Sequence, residues 1–274
     1  MNRKQNKTYF STSKVMGILN LSDNSFYDGG KYNSTEKILI QTKKMIDEGV
    51  NIIDIGSQSS RPGSNEISED EELNKIIPSL IEIRKHFPNV LISVDTYRAN
   101  VAEESINNGA DIINDISSGD LDNNMFSVIA KYKVPYIIMH MLGTPKNMQE
   151  NPTYNNVVEE IINYFQQKIE TLHDLGINNL IIDPGFGFGK TLENNYEILN
   201  NLEKFKCLEY PILVGVSRKS MIYKLLDTDA NQALNGTSVI NTIALTKGTD
   251  ILRVHDIKEA VECIKIVNFA QNSI

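Results

Sequence analysis

The chemically useful residues of this chain recur at one kind of place. Short runs rich in Ile and Val each end in polar groups: Asn20; Asp54, followed by Ser59, Ser60 and Arg61; Asp95; Asn114 with Asp115; His140; Asp183; Ser217, Arg218 and Lys219; and Arg253 with His255. A lone polar residue at the end of a strand is commonly a turn or cap residue. All eight runs end this way, and polar groups beside a core cost free energy unless they find partners.

Three of these places suggest specific chemistry. Residues 183–191 read Asp-Pro-Gly-Phe-Gly-Phe-Gly-Lys-Thr. They look like a phosphate loop, but Pro184 stands where that motif needs its first glycine. The better reading is a glycine loop that offers Phe186 or Phe188 as a face for a flat ring. Asp183 before it would accept paired hydrogen bonds from an amino-heterocycle. Ser217 to Ser220 lie where a helix should begin, and free amides beside cations suit a carboxylate or phosphate. Arg253 and His255 alternate on one strand, so both side chains share a face, and Arg can clamp phosphate oxygens or stack on a ring. The four His residues are scattered. A hard cation held by oxygens and substrate phosphates would leave little trace in a sequence.

These residues need a scaffold that brings strand ends together. The apolar runs, 15–21, 51–57, 91–97, 110–116, 135–141, 179–185, 211–217 and 250–256, are apolar on both faces, as buried parallel strands are. Helical periodicity lies between them at 34–48, 69–87, 98–108, 155–175, 236–247 and 257–268, with glycines placed as C-caps at 49, 109, 176 and 248. Eight strand–helix units predict a single-domain α/β (β/α)8 TIM barrel over residues 15–274, after an N-terminal extension at 1–14. A doubly wound open sheet is the competing architecture.

Length agrees, since 274 residues lie near the roughly 250 usual for such a barrel. A net charge of −8 argues against a nucleic-acid partner. Cys207 and Cys263 are too few for a disulfide scaffold and read as reduced thiols. The polar N-terminus lacks a signal-peptide core, and no run is long enough to span a membrane. A cytoplasmic protein is expected.

Taken together, the motifs resemble those of the dihydropteroate synthases from about Val15 to Ile266. Residues 15–20 followed by 24–30 look like the first signature of that family, and residues 54–63 like its second. Residues 93–96, 113–115, 139–141, 143–145, 183–190, 217–219 and 253–255 follow in the family's order. The resemblance implies condensation of 6-hydroxymethyl-7,8-dihydropterin pyrophosphate with p-aminobenzoate to 7,8-dihydropteroate, with release of pyrophosphate. It implies that Asp95, Asn114, Asp183, Phe188, Lys219 and Arg253 hold the pterin. Asn20, Arg61, Arg253 and His255 would hold the pyrophosphate, with Mg²⁺ shared by Asn20. Phe26, Ser60, Arg61, Pro62, Phe188 and Ser220 would receive p-aminobenzoate, with Lys219 also beside its ring. Catalysis would fall to Asp95, Lys219, Arg253 and His255. Sulfonamide sensitivity and a homodimer, through 235–245 and the last helix, are implied as well.

The sequence departs from the family in two loops. Thr-Pro-Asp-Ser-Phe becomes Ser22-Asp23-Asn24-Ser25-Phe26, and Glu-Ser-Thr-Arg-Pro becomes Gln58-Ser59-Ser60-Arg61-Pro62. Two other functions use similar parts: a non-catalytic pterin-binding paralogue, and a methyltransferase that moves a methyl group from a folate to a corrinoid protein.

Overall fold

The Ile- and Val-rich runs form eight parallel strands in the computed structural model of the protein, which describes residues 12–21, 34–57, 67–144, 147–148 and 151–273. They are β1 (Lys14–Asn20), β2 (Ile52–Gly56), β3 (Leu91–Asp95), β4 (Ile112–Asp115), β5 (Tyr136–Met139), β6 (Leu180–Asp183), β7 (Leu213–Val214) and β8 (Ile251–Val254). Consecutive strands pair from β1 to β6 and from β7 to β8. The β1–β8 ladder joins first to last, with Lys14 opposite Ile251. The seam between β6 and β7 is closed by a parallel bridge from Ile182 to Ile212, where the Ile182 N–H donates to the Pro211 carbonyl at 2.9 Å. The sheet therefore curls into a (β/α)8 barrel and is not the open doubly wound alternative.

The helices are α1 (Ser34–Asp47), α2 (Glu69–His86), α3 (Ala99–Asn107), α4 (Met125–Tyr132), α5 (Val157–Asp174), α6 (Leu192–Asn200), α7 (Ser220–Tyr223), α8 (Leu234–Thr246) and α9 (Ile257–Asn272). α2 shows why they form where they do. Ser68 and Glu71 cap its start reciprocally, acids fill its first turn and bases its last, which suits the helix dipole. The glycines expected after helices, at 49, 109, 176 and 248, all have positive φ.

Two helices carried no sequence expectation. α4 spans only eight residues, too few for a period to show. α6 contains Asn194, Asn195 and Asn200, poor helix formers, and its start is fixed by a reciprocal Thr191–Asn194 cap. Gly236, expected to open a helix, lies inside α8. A Cβ there would meet Ile222 Cγ2 at 2.4 Å, so glycine lets α8 press against α7. Cys207 is exposed, Cys263 is buried, and both are free thiols. Among the described residues no helix is long and apolar enough to cross a membrane.

The alternation of strand side chains divides the core. Outward residues such as Ile53, Val94, Ile138 and Leu252 pack in the large cluster that includes the helices' buried faces. Met16, Ile52, Ile112, Ile137, Ile181, Leu213 and Ile251, with Leu91 against them, form a separate cluster with one residue from each strand. This is an apolar plug inside the barrel. Two residues further along the same faces stand Asp54, Ser93, Asn114, Met139, Asp183 and Arg253. The plug closes one end, and the polar layer above it faces the mouth where barrel sites are built.

Candidate active site

Arg253 organises the polar layer. From β8 its Nε donates to Asp54 Oδ2 and its terminal nitrogen to Asp95 Oδ2, each at 2.6 Å. Asn114 Nδ2 donates to the same Asp54 oxygen at 3.1 Å. Four strands, β2, β3, β4 and β8, are thus joined by side chains at the mouth. Asp54 is completely buried, and the Arg253 side chain is 18% exposed. Burial pushes the Asp95 carboxyl up to about 7. Arg253 pulls the other way, and the neighbouring Asp54 adds to the rise. For Arg253, burial works against its charge, but Asp54 and Asp95 outweigh it and hold the guanidinium protonated.

Opposite this group, Asp183 ends β6 and accepts from the Gly185 N–H at 2.8 Å. Its carboxyl is raised by burial, with Lys219 opposing. Lys219 Nζ donates to the Phe186 carbonyl at 2.5 Å and lies 4.7 Å from the centre of the Phe188 ring. Burial lowers its amine to about 8, with Asp183 opposing. Phe188 packs with Met139 and Met148 beside the mouth, whereas Phe186 is sealed in the main core. Of the two rings the glycine loop offered, Phe188 is the one near Lys219.

The glycine loop is held by close approach. A Cβ on Gly185 would sit 1.9 Å from the His140 carbonyl oxygen, and one on Gly189 would sit 2.6 Å from that of Leu142. Both glycines also have positive φ. His255, past the end of β8, is exposed, and its Nδ1 lies 3.0 Å from Ser217 Oγ. Ser217 Oγ also accepts from the His255 N–H. Asn20 is exposed at the end of β1, opposite Gly56, which is in turn opposite Asp95. Ser220 is the first residue of α7 and is half-buried.

Several polar strand ends do other work. Asp115 accepts from Ser117 N–H and Oγ, Gly119 N–H and Tyr136 Oη, so it ties a turn. Alternation sends it outward while Asn114 faces in. Arg218, expected to add its charge beside Lys219, instead forms a paired contact with Asp256 at 2.9 and 2.8 Å and donates to the Ala230 and Asn231 carbonyls. His140 is buried against Lys190. Conversely, Asp54, Ser217 and Lys190 lay in the stretches read from the sequence but were given no substrate or catalytic role, although Asp54 bonds to Arg253, Ser217 to His255 and Lys190 to the Phe188 carbonyl. For Asp54 the signal was present: alternation from Ile52 places it on the plug's face. Phe26, Ser60, Arg61 and Pro62, together with the altered stretches at 22–25 and at Gln58, lie outside the described residues.

Among the described residues no three His, Cys, Asp or Glu side chains gather as a metal-ligand set. Asn20 supplies one neutral oxygen donor, which fits a hard cation that takes its other ligands from water and phosphate.

Comparison with known proteins agrees with the fold and gives the family. A family profile described as pterin binding enzyme matches residues 16–255. The dihydropteroate synthase of Haemophilus influenzae is 42% identical over 265 residues, covering 96% of each chain. The crystal structure of the Yersinia pestis dihydropteroate synthase with a sulfonamide drug complex superposes with a TM-score of 0.90, at 42% identity and 96% coverage of both chains. That of Xanthomonas albilineans with 4-aminobenzoic acid gives a TM-score of 0.89 at 31% identity, covering 96% of this chain and 94% of the other.

Proposed function

This chain belongs to the dihydropteroate synthases, a family of pterin-binding enzymes, and we propose that its barrel mouth carries out their transfer with the residues named above. The enzyme is a transferase of folate biosynthesis. It joins 6-hydroxymethyl-7,8-dihydropterin pyrophosphate to p-aminobenzoate and releases pyrophosphate and 7,8-dihydropteroate. Small molecules are its partners, and sulfonamides would bind it, as a sulfonamide drug complex is known for the Yersinia pestis enzyme.

The observation that best supports the site assignment is the polar layer directly above the apolar plug. A pterin has a flat apolar face and an edge of donors and acceptors. Asp95, Asn114, Asp183, Lys219 and Arg253 supply the complementary edge, and Phe188 supplies a face. Pyrophosphate would meet Arg253 and His255, with Asn20 and Arg61 beside them. Asn20 would lend its carboxamide oxygen to Mg²⁺, which supplies countercharge to the leaving group. p-Aminobenzoate would lie among Phe26, Ser60, Arg61, Pro62, Phe188 and Ser220, its ring near Lys219. α7 has only four residues, so Ser220 would act through its hydroxyl and amide more than through a helix dipole.

The chemistry is dissociative. As the bond from the pterin methylene to pyrophosphate breaks, positive charge develops on the pterin, and the aniline nitrogen attacks. An ionised Asp95 stabilises that cation, while Arg253 and His255 stabilise the departing anion. Lys219 donates to the pterin edge. No covalent enzyme intermediate is needed.

Residues 15–274 would form one catalytic domain, with 1–14 an extension and the cytoplasm its compartment. A homodimer would form through α8 and α9, which pack together and leave Val239, Ile266 and Phe269 exposed. Mass-spectrometric detection of dihydropteroate from the two substrates tests the activity. Tight pterin binding without that product would instead mark a non-catalytic paralogue.

A further inference from the structure

The lysine of the glycine loop invited a phosphate reading, and the structure gives it other work. Lys190 is 3% exposed. Its Nζ lies 2.9 Å from the Phe188 carbonyl, 3.2 Å from the His140 carbonyl and 3.1 Å from His140 Nδ1. An ammonium has three donors, and three acceptors surround it. Two of them belong to the end of β5 and the third to the glycine loop. The ammonium thus joins the segments that Gly185 and Gly189 bring into near contact.

The rest of the loop is secured independently. Tyr154 Oη donates to the Gly189 carbonyl, the Gly187 N–H donates to Asn195 Oδ1, and Lys219 Nζ donates to the Phe186 carbonyl. What Lys190 holds is the peptide of Phe188 itself, whose ring lies beside the Lys219 ammonium and over Met139 and Met148. Burying a cation is costly unless it is fully partnered. Burial pushes this amine down to about 7, with Asp183 opposing. A neutral side chain of similar length could fill the same space, so filling space does not account for a lysine.

We infer that Lys190 is a positioning residue: it fixes the Phe188 peptide against the end of β5, and so sets the ring where p-aminobenzoate and Lys219 meet it. The inference rests on the transferase reading above. It goes beyond the contacts that the family resemblance implies, none of which falls to Lys190, whose Nζ bonds to protein groups of the loop and of the end of β5.

The test is a double-mutant cycle of Lys190→Met and Phe188→Leu, read as kcat and KM for both substrates, with pteroic acid binding followed by calorimetry. Acting through Phe188 predicts that Lys190→Met lowers kcat/KM for p-aminobenzoate about tenfold, chiefly through KM, in the parent and by less than about threefold in the Phe188→Leu background. Equal losses in both backgrounds overturn the inference. If Lys190→Met does not fold, Lys190→Gln runs the same cycle. Collapse of both variants also overturns it, since Lys190 would then be needed for folding and not for placement. A parent chain that binds pteroic acid without turning over counts against the transferase reading alone, and the cycle is then read in the dissociation constant.

Discussion

Replacing Asp54 by asparagine tests the electrostatics on which the site depends. Asp54 and Asp95 share one guanidinium, that of Arg253. The Asp95 carboxyl is already lifted to about 7, first by burial, with Asp54 contributing. Two unit charges roughly 5 Å apart at an effective dielectric constant of about 20 repel by about 3 kcal/mol, or about two pKa units. The carboxamide keeps the shape and removes that repulsion, but it also holds Arg253 less firmly, so a fall of one to two units is the scale expected. Burial remains, and the carboxyl of Asp95 stays above its ordinary 3.8. If ionised Asp95 stabilises the pterin cation, activity falls as pH drops through its pKa. The acid limb of kcat/KM for the pterin substrate should therefore lie near pH 7 in the parent and about one to two units lower in Asp54→Asn, in profiles recorded from about pH 5 to about pH 9. Titrations of the substrate itself are common to both proteins and drop out of the comparison. An acid limb that stays in place, or moves upward, would refute the coupling.

Other outcomes follow from the same contacts. Lys219, lowered to about 8 mainly by burial, is a charged donor, and so a strong one, only while protonated. The alkaline limb should lie near that pH and leave the measured range in Lys219→Arg, at reduced rate; an unmoved limb assigns it elsewhere. Gly185→Ala places a Cβ 1.9 Å from the His140 carbonyl at φ +73, so urea denaturation should show a loss of about 3 kcal/mol, and a loss under about 1 kcal/mol would mean the loop relaxes freely. Phe269, 79% exposed on α9, should support dimerisation. Phe269→Glu should shift sedimentation toward monomer with kcat little changed, and an unchanged dimer would locate the interface on another face.

The sequence made the strands and the level of the site legible for one reason. In a barrel buried on both sides, strands must be apolar throughout, so the first polar inward residue marks the mouth. Asn114, Asp183 and Arg253 were visible on that logic, and Asp95 stands one inward step beyond Ser93. What one strand cannot reveal is the partner on another. Asp115 and Asn114 are adjacent and equally polar, yet only the alternation of β4 sends one outward to cap a turn. Arg218 and Lys219 read as one basic pair, but Asp256 claims the first across the fold. Lys190 sits in a loop whose glycines suggested phosphate, and only the approach of β5 shows its acceptors. Likewise α6 depends on a cap more than on propensity, so its asparagines concealed it.

Coupled transfer at this mouth is read out by pyrophosphate release from the unmodified chain. Dihydropterin pyrophosphate is supplied with and without p-aminobenzoate, and with and without Mg²⁺. Release that depends on p-aminobenzoate, is stimulated by Mg²⁺ and matches dihydropteroate formed mole for mole is the expected result. Absence of release despite tight pterin binding would contradict the claim, leaving a pterin-binding barrel without transferase activity.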